Sequence, residues 1–297
     1  MIDVHENIHG NHKRLLVAAS LLERTKPASV LDVGCGNGIH LTTPLAERFP
    51  HIRVLGIDSD AATMRVAQDF AERHHVQNVR FVVDTALAAQ ERFDCIIASE
   101  VLEHVEEPCE FLRFLRSRLA PNGHILLTTP NGYGAFELMT AIETVLHLLG
   151  VMQLLSKVPG LRSLKVGTSY NTGNVADTQS DTLAISPHVN FFSYKRLLRL
   201  FSEAGLRVVD YRARSLFGGL GFQQLLRSPK SLRWNAYASD GLSPYLVSGW
   251  MFVLQASNDK PSGNCSYRRR WNERLRRILT AKRWATAATS RGDIQFS

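Results

Sequence analysis

The chain is short of cysteine, and the four it has (Cys35, Cys95, Cys109 and Cys265) include no CxxC pair. That spacing speaks against a zinc site and a disulfide framework, and it predicts a reducing compartment. The opening stretch MIDVHENIHGNHKR has no apolar segment of the kind a secretory leader needs, so a cytoplasmic protein is expected. No internal repeat is visible, which excludes a solenoid. Uninterrupted apolar runs are also missing. The most apolar stretch, residues 134–157, is broken by Glu137, Thr140, Glu143, His147, Gln153 and Ser156, which argues against a membrane span. Net charge is scarce over most of the length. Of the total of +8, residues 258–297 carry +7, from ten Lys/Arg against three acids, and residues 1–257 carry only +1. The basic character belongs to one end, and the body is not a nucleic-acid footprint.

Alternation is abundant. Short β-branched and apolar runs fall at residues 30–33, 53–57, 79–83, 93–98 and 124–128. Helical spacing separates them at residues 41–49, 61–74 and 108–119, and a further helix is expected near 12–24. Such alternation predicts βαβ units, hence a doubly wound, mostly parallel α/β sheet. Later, residues 193–204 read as a helix ended by Gly205, and residues 206–211 and 250–255 as closing strands. Residues 159–187 are polar and read as a loop.

The run VLDVGCGNG (residues 30–38) ends the first strand in three glycines, Gly34, Gly36 and Gly38. Glycines at the carboxyl end of a first parallel strand let the backbone approach a ligand, with the next helix aimed at it. The dinucleotide fingerprint GxGxxG is absent, because its third glycine would fall on Ile39. Acids close the strands instead: Asp32 precedes the loop, Asp58 ends the second strand in GIDSD, and Asp84 ends the third in VVDT. The fourth run leads into ASEVLEHV.

LDVGCGNG, GIDSD, FVVDT, FDCIIASEVLEHV and APNGHILLTTPN resemble, in order, the motifs of class I S-adenosylmethionine-dependent methyltransferases. The resemblance implies a seven-stranded Rossmann-like sheet with an antiparallel last strand. It implies that Asp32, Gly34, Gly36 and Gly38 cradle the methionine end of S-adenosylmethionine, that Asp58 takes the ribose and that Asp84 takes the adenine. Ser59, Thr85, Ser99 and Glu100, in the same motifs, complete the expected cofactor-binding set. SPHVNFFSYKRLLRLFSEAGLRVV resembles the segment before the sixth strand in the ubiquinone-biosynthesis O-methyltransferase type. SGWMFVLQAS resembles, more loosely, the last strand of small-molecule and polysaccharide-pathway relatives. On this basis residues 1–257 form the methyltransferase domain, with 132–187 as a helical substrate lid, and 258–297 form a basic C-terminal tail.

The methyl of a sulfonium is already activated, so a hydroxyl acceptor needs mainly alignment and a base, and histidine titrates in the right range. His104 and His188 are the expected catalytic residues. Glu100, Glu103 and His104 have the spacing to share a helix face; similar residues bind a divalent metal in some relatives, but a metal-free site is expected, with Mg²⁺ as the alternative. His5, His9 and His12 are expected in a solvated N-terminal turn. The Asn/Asp-Pro-Pro-aromatic string of nucleic-acid amine methylation is missing, its place reading SEVL. The expected activity is O-methylation of a small molecule, sugar or lipid-linked intermediate. RNA methylation, or a catalytically silent cofactor-binding partner protein, are the alternatives. The lid and the basic tail leave open a peripheral membrane contact.

Overall fold

The computed structural model describes residues 2–83, 91–151, 154, 188–218, 225–258 and 265–289. Seven strands form one sheet in the order β3-β2-β1-β4-β5-β7-β6. They are β1 (Ser29–Val33), β2 (Arg53–Ile57), β3 (Val79–Val82), β4 (Phe93–Ser99), β5 (Leu119–Pro130), β6 (Leu206–Ala213) and β7 (Gly249–Ala256). β1 to β5 pair in parallel, and β7 runs antiparallel between β5 and β6. The strand order reverses at β1, which lies between β2 and β4. Their carboxyl ends therefore open a crevice.

The helices are α1 (Asn11–Thr25), α2 (Thr42–Arg48), α3 (Ala61–Arg73), α4 (Pro108–Arg118), α5 (Ala135–Leu148), α6 (Tyr194–Glu203), α7 (Pro229–Tyr237) and α8 (Trp271–Thr289). Successive strand residues point to opposite faces, and the core splits accordingly. Leu31, Ile96, Ile125, Leu127 and Phe252 pack with Leu112 and Leu115 of α4 and Leu197, Leu200 and Phe201 of α6. Val30, Val54, Ile97, Leu126 and Met251 pack on the other face with Leu21 and Leu22 of α1 and Leu45 and Ala46 of α2. The expected doubly wound sheet is thus present. β5 starts five residues before the apolar run, because Leu119 pairs with Phe93 of β4 before an irregularity, and regular pairing resumes at His124. α7 was not expected, although Ser228 caps it by accepting from the Ser231 amide at 3.1 Å and Pro229 occupies its first turn.

Three expectations are corrected. First, Cys109 and Cys265, at a sequence separation of 156, form a disulfide with Cα atoms 5.9 Å apart. Local spacing carries no trace of so distant a pair, and the reducing compartment loses its support. Second, the N-terminal segment is not a solvated turn: Val4 and Ile8 are buried, and Ile8 O accepts from Ser215 Oγ at 3.2 Å. Third, much of the basic end packs as α8 against α5. Glu273 is buried and accepts from Arg196 at 2.8 Å and from Tyr133 at 3.0 Å, while Arg269 and Arg277 pair with Glu106. Charge composition cannot reveal this, because the acid that holds these two arginines lies 163 and 171 residues earlier. Within the expected lid, α5 is described, and residues 155–187 lie outside the described residues. No described helix is long and apolar enough to cross a membrane.

Truncation after Ser257 removes the disulfide and the Glu273 cluster together. Loss of such a long cross-link costs about 2–4 kcal/mol, and the melting temperature is expected to fall by roughly 5–15 °C. Calorimetry on both forms checks this, and equal melting temperatures would show that residues 258–297 add nothing to stability.

Candidate active site

After β1 the backbone turns through Gly34, Gly36 and Gly38 at φ of 68°, 55° and 66°. These angles lie in the left-handed region that side chains resist. The three glycines differ in what surrounds them. A Cβ on Gly34 would meet Val101 Cγ2 at 2.5 Å, and one on Gly38 would meet Phe81 Cζ at 2.8 Å, whereas one on Gly36 would meet no protein atom within 4 Å. Gly34 and Gly38 serve close packing, and Gly36 faces open space. The loop is pinned from β2: the Gly34 and Cys35 amides donate to Ile57 O at 2.8 and 3.1 Å, and the Gly36 amide donates to Asp58 Oδ2 at 3.0 Å. Asp58 Oδ1 accepts from the Asp60 amide at 3.1 Å. Asp60 in turn caps α3 by accepting from the amides of Ala62 and Thr63. Ser59 is exposed beside them.

Asp32, on β1, is buried and accepts from Thr42 Oγ1 at 2.6 Å. Burial pushes its pKa up to about 7, against the Thr42 hydrogen bond and the nearby Arg14 charge. Thr43 Oγ1, beside Gly38, is buried without a hydrogen-bond partner among the described residues. An open face at Gly36, an acid beneath the loop and an orphan hydroxyl next to it fit a polar, cationic ligand such as S-adenosylmethionine.

β4 ends in Ser99, and Glu100 follows with φ of 59°. Residues 102–104 form a turn, not the expected helix, with the His104 amide donating to Val101 O at 2.9 Å. Glu100 therefore does not share a helix face with Glu103 and His104. It accepts from Thr128 Oγ1 at 2.7 Å and pairs with Arg214. Burial would raise its pKa, but the Arg214 and Arg14 charges and the Thr128 bond hold it down to about 2. Arg14, from α1, donates to Ser99 Oγ at 3.1 Å and to Asn11 Oδ1 at 2.7 Å. His9 is half-buried beside this group; burial and the Arg214 charge draw its pKa down to about 3.

Glu103 is buried, takes Thr129 Oγ1 at 3.0 Å on Oε2, and has no partner on Oε1 among the described residues. Burial and the Glu100 charge push its pKa up to about 8. The His104 and His188 rings meet edge to face at 4.9 Å. Ligand-capable atoms of Glu103, His104 and His188 all lie within 4.8 Å of one another, a set able to hold a divalent cation, with two imidazoles that suit a transition metal better than Mg²⁺. His188 Nδ1 lies 2.7 Å from Oε1 of buried Glu137. Although burial opposes it, the Glu137, Glu103 and Glu100 charges raise the His188 pKa.

The structure brings Asp32, Gly34, Gly36, Gly38, Asp58, Ser99 and Glu100 to one sheet edge, with His104 and His188 grouped at the adjoining turn. Asp84 and Thr85 lie outside the described residues. The expected trio of Glu100, Glu103 and His104 is replaced by Glu103, His104 and His188. Sequence reasoning missed Arg14, Arg214, Glu137 and Arg276. Each is a charged residue on an amphipathic or connecting segment, where solvent exposure is the ordinary expectation, and only the tertiary fold buries it.

Residues 5–211 match a family model described as "Methyltransferase domain". The chain is 35% identical over 126 residues to the ubiquinone biosynthesis O-methyltransferase of Acinetobacter baylyi, covering 40% of this chain and 52% of that protein. It is 29% identical over 135 residues to the malonyl-[acyl-carrier protein] O-methyltransferase of Halalkalibacterium halodurans, covering 43% and 49%. The chain thus spans about half the length of the curated relatives it matches. Among solved structures, PKMT2 from Rickettsia typhi superposes with a TM-score of 0.50 at 15% identity, covering 90% of this chain and 57% of that one, a likeness of fold. The strand order, the pinned glycine loop and the match over residues 5–211 agree, and the chain belongs to the methyltransferase-domain family, whose cofactor is S-adenosylmethionine.

Proposed function

We propose that this chain transfers the methyl group of S-adenosylmethionine to a hydroxyl oxygen of a small molecule, sugar or lipid-linked intermediate. The observation that carries the reading is the grouping of Glu103, His104 and His188 at the turn that adjoins the glycine loop through Val101. The names of the curated relatives, O-methyltransferases of a quinone pathway and of an acyl-carrier-bound substrate, support oxygen as the acceptor atom. In the reaction the acceptor oxygen forms a bond to the methyl carbon, the carbon–sulfur bond breaks, and its electron pair stays on sulfur. The hydroxyl proton passes to an imidazole. His188 is the better base: its Nδ1 is taken by Glu137, which leaves Nε2 for the acceptor. Asp58 is assigned to the ribose hydroxyls, and Asp32 with the Gly36 backbone to the methionine end.

The RNA alternative is weakened, because Arg276 is spent on buried Glu137 and Arg269 and Arg277 are paired with Glu106 at the surface. A peripheral membrane contact is favoured by a specific surface. Leu138, Ile142 and Val145 on α5, and Trp271, Leu275 and Ile278 on α8, are exposed, with Arg268, Arg270 and Arg274 exposed along the same basic segment.

Four expectations follow from this reading. In titration calorimetry, S-adenosylhomocysteine binds the wild type, and Asp58→Ala weakens it by about 10- to 100-fold through lost charge-assisted hydrogen bonds. Gly36→Ala meets no protein atom, so it costs only the left-handed backbone penalty of about 1–2 kcal/mol yet blocks the ligand; Gly34→Ala destabilises the fold further by striking Val101. Unchanged binding in Gly36→Ala would remove the loop from the cofactor site. With a panel of phenolic and sugar acceptors, His188→Ala is expected to lower S-adenosylhomocysteine formation by about 10²–10⁴-fold while cofactor affinity holds. Full turnover would exclude it as the base, and loss of turnover on EDTA treatment with recovery on adding a divalent ion would assign the cluster to a metal instead. Finally, the double variant Trp271→Ser/Leu275→Ser should sediment less with anionic vesicles than the wild type, and equal sedimentation would count against the membrane contact.

A further inference from the structure

We propose that Arg276, on the C-terminal helix α8, is a positioning residue that acts on His188 through Glu137. The three side chains form one continuous line. His188 Nδ1 is 2.7 Å from Glu137 Oε1, and Arg276 Nη2 is 2.6 Å from Glu137 Oε2. Each carboxylate oxygen therefore has its own donor, and the carboxylate plane is fixed at both ends. Glu137 is 2% exposed, so no bulk water competes for either oxygen.

Arg276 is itself held in place. Its Nη1 donates to Gly132 O at 2.5 Å, and its guanidinium lies 3.8 Å from the centre of the Phe191 ring. Gly132 and Phe191 flank the two segments that meet here: the Gly132 amide donates to Phe192 O at 2.9 Å, which ties the end of β5 to the strand-like segment carrying His188. Arg269, two residues before α8, donates to Val189 O at 3.2 Å and Asn190 Oδ1 at 3.0 Å, securing the residues just after His188. The C-terminal segment thus holds the histidine from two directions, by its side-chain partner and by its backbone. With Nδ1 committed to Glu137, the ring cannot turn over, and Nε2 keeps a single direction. Arg276 lies outside residues 5–211, so this support belongs to the part of the chain beyond the family match.

The inference rests on the reading of His188 as the residue that faces the acceptor, but its test needs no acceptor and is judged separately from methyl transfer. The full-length protein is labelled with ¹⁵N-histidine, and the Nδ1–H signal of His188 is assigned by its disappearance in His188→Gln. The measured quantity is the exchange rate of that proton with water. Replacing Arg276 by Met frees Glu137 Oε2, and exchange is expected to become about 10- to 100-fold faster, the effect of losing a charge-assisted hydrogen bond at the neighbouring oxygen. Arg276→Lys keeps the charge but not the two-pronged reach to Gly132 O and Glu137, so its rate should fall between the two. The shift in melting temperature caused by S-adenosylhomocysteine should be the same in all three proteins. A wild-type exchange rate in Arg276→Met, or in Arg276→Lys if the Met variant does not fold, overturns the proposal. So does a faster rate accompanied by loss of the S-adenosylhomocysteine shift, since Arg276 would then be supporting the fold at large.

Discussion

A carboxylate cannot stay ionised in a protein interior without close partners, because desolvation costs several kcal/mol per ion. Asp32, Glu103, Glu137 and Glu273 are all between 1 and 2% exposed, and each meets this constraint in its own way. Asp32 and Glu103 do so largely by holding a proton, with pKa values near 7 and 8. Glu137 and Glu273 do so with cations, from His188 and Arg276 in one case and Arg196 in the other. Glu100, at the rim, is held ionised by Arg214 with Arg14 nearby. The two kinds of acid sit side by side: Glu100 charged and Glu103 close to neutral, three residues apart. A charged neighbour is one of the causes that raise Glu103, so the pairing of Glu100 with Arg214 and the protonation of Glu103 are parts of one electrostatic arrangement.

The cations that satisfy these acids come from elements outside the β1–β5 core: α1 supplies Arg14, the end of β6 leads to Arg214, and α8 supplies Arg276. Both ends of the chain are therefore drawn onto the carboxyl edge of the sheet. This explains why the N-terminal segment and the basic C-terminal region pack where composition predicts solvated ends. A disulfide between Cys109 at the start of α4 and Cys265 just before α8 fastens the same C-terminal approach.

The glycine-loop side of the candidate site was legible because it is local. Asp32, the three glycines and Asp58 fall within 27 residues, and each sits at the carboxyl end of a strand whose apolar run announces it. Parallel strands buried on both faces write themselves as continuous β-branched runs, so the sheet and most of its boundaries could be read directly. The surroundings of His188 were not legible, because their contacts are long-range. His188 was visible as a histidine in a familiar segment, but its partner Glu137 lies 51 residues earlier, and Arg276 lies 139 residues after Glu137. The spacing of Glu100, Glu103 and His104 suggested a helix; the left-handed Glu100 breaks it, and the Arg214 pairing that accompanies that turn lies 114 residues off. Ten basic residues in forty read as a solvated tail, since nothing nearby in sequence names Glu137 and Glu106, the distant acids that hold Arg276, Arg269 and Arg277.

If His188 is the base proposed above, the double partnership of Glu137 has a consequence for its proton transfer. The His188 pKa is raised by its surroundings, so its share of the pair's stabilisation is complete below its ordinary value of 6.5 and is lost as pH rises through the raised value. The Glu137 pKa is lowered, against the opposing effect of burial, by His188 and Arg276, so its share is complete above its ordinary value of 4.5 and is lost as pH falls through the lowered value. Both shares are full between those two ordinary values. A base, however, must be neutral before it accepts a proton, which places the working state at the upper side of this window, where the imidazole cation is disappearing. If His188 were the only partner, Glu137 would be left as an unpaired buried charge at that moment and would take up a proton itself. The Arg276 guanidinium keeps its charge throughout. It holds Glu137 as an acceptor for Nδ1–H in the neutral imidazole and in the imidazolium alike, so the histidine can change its charge without changing its place.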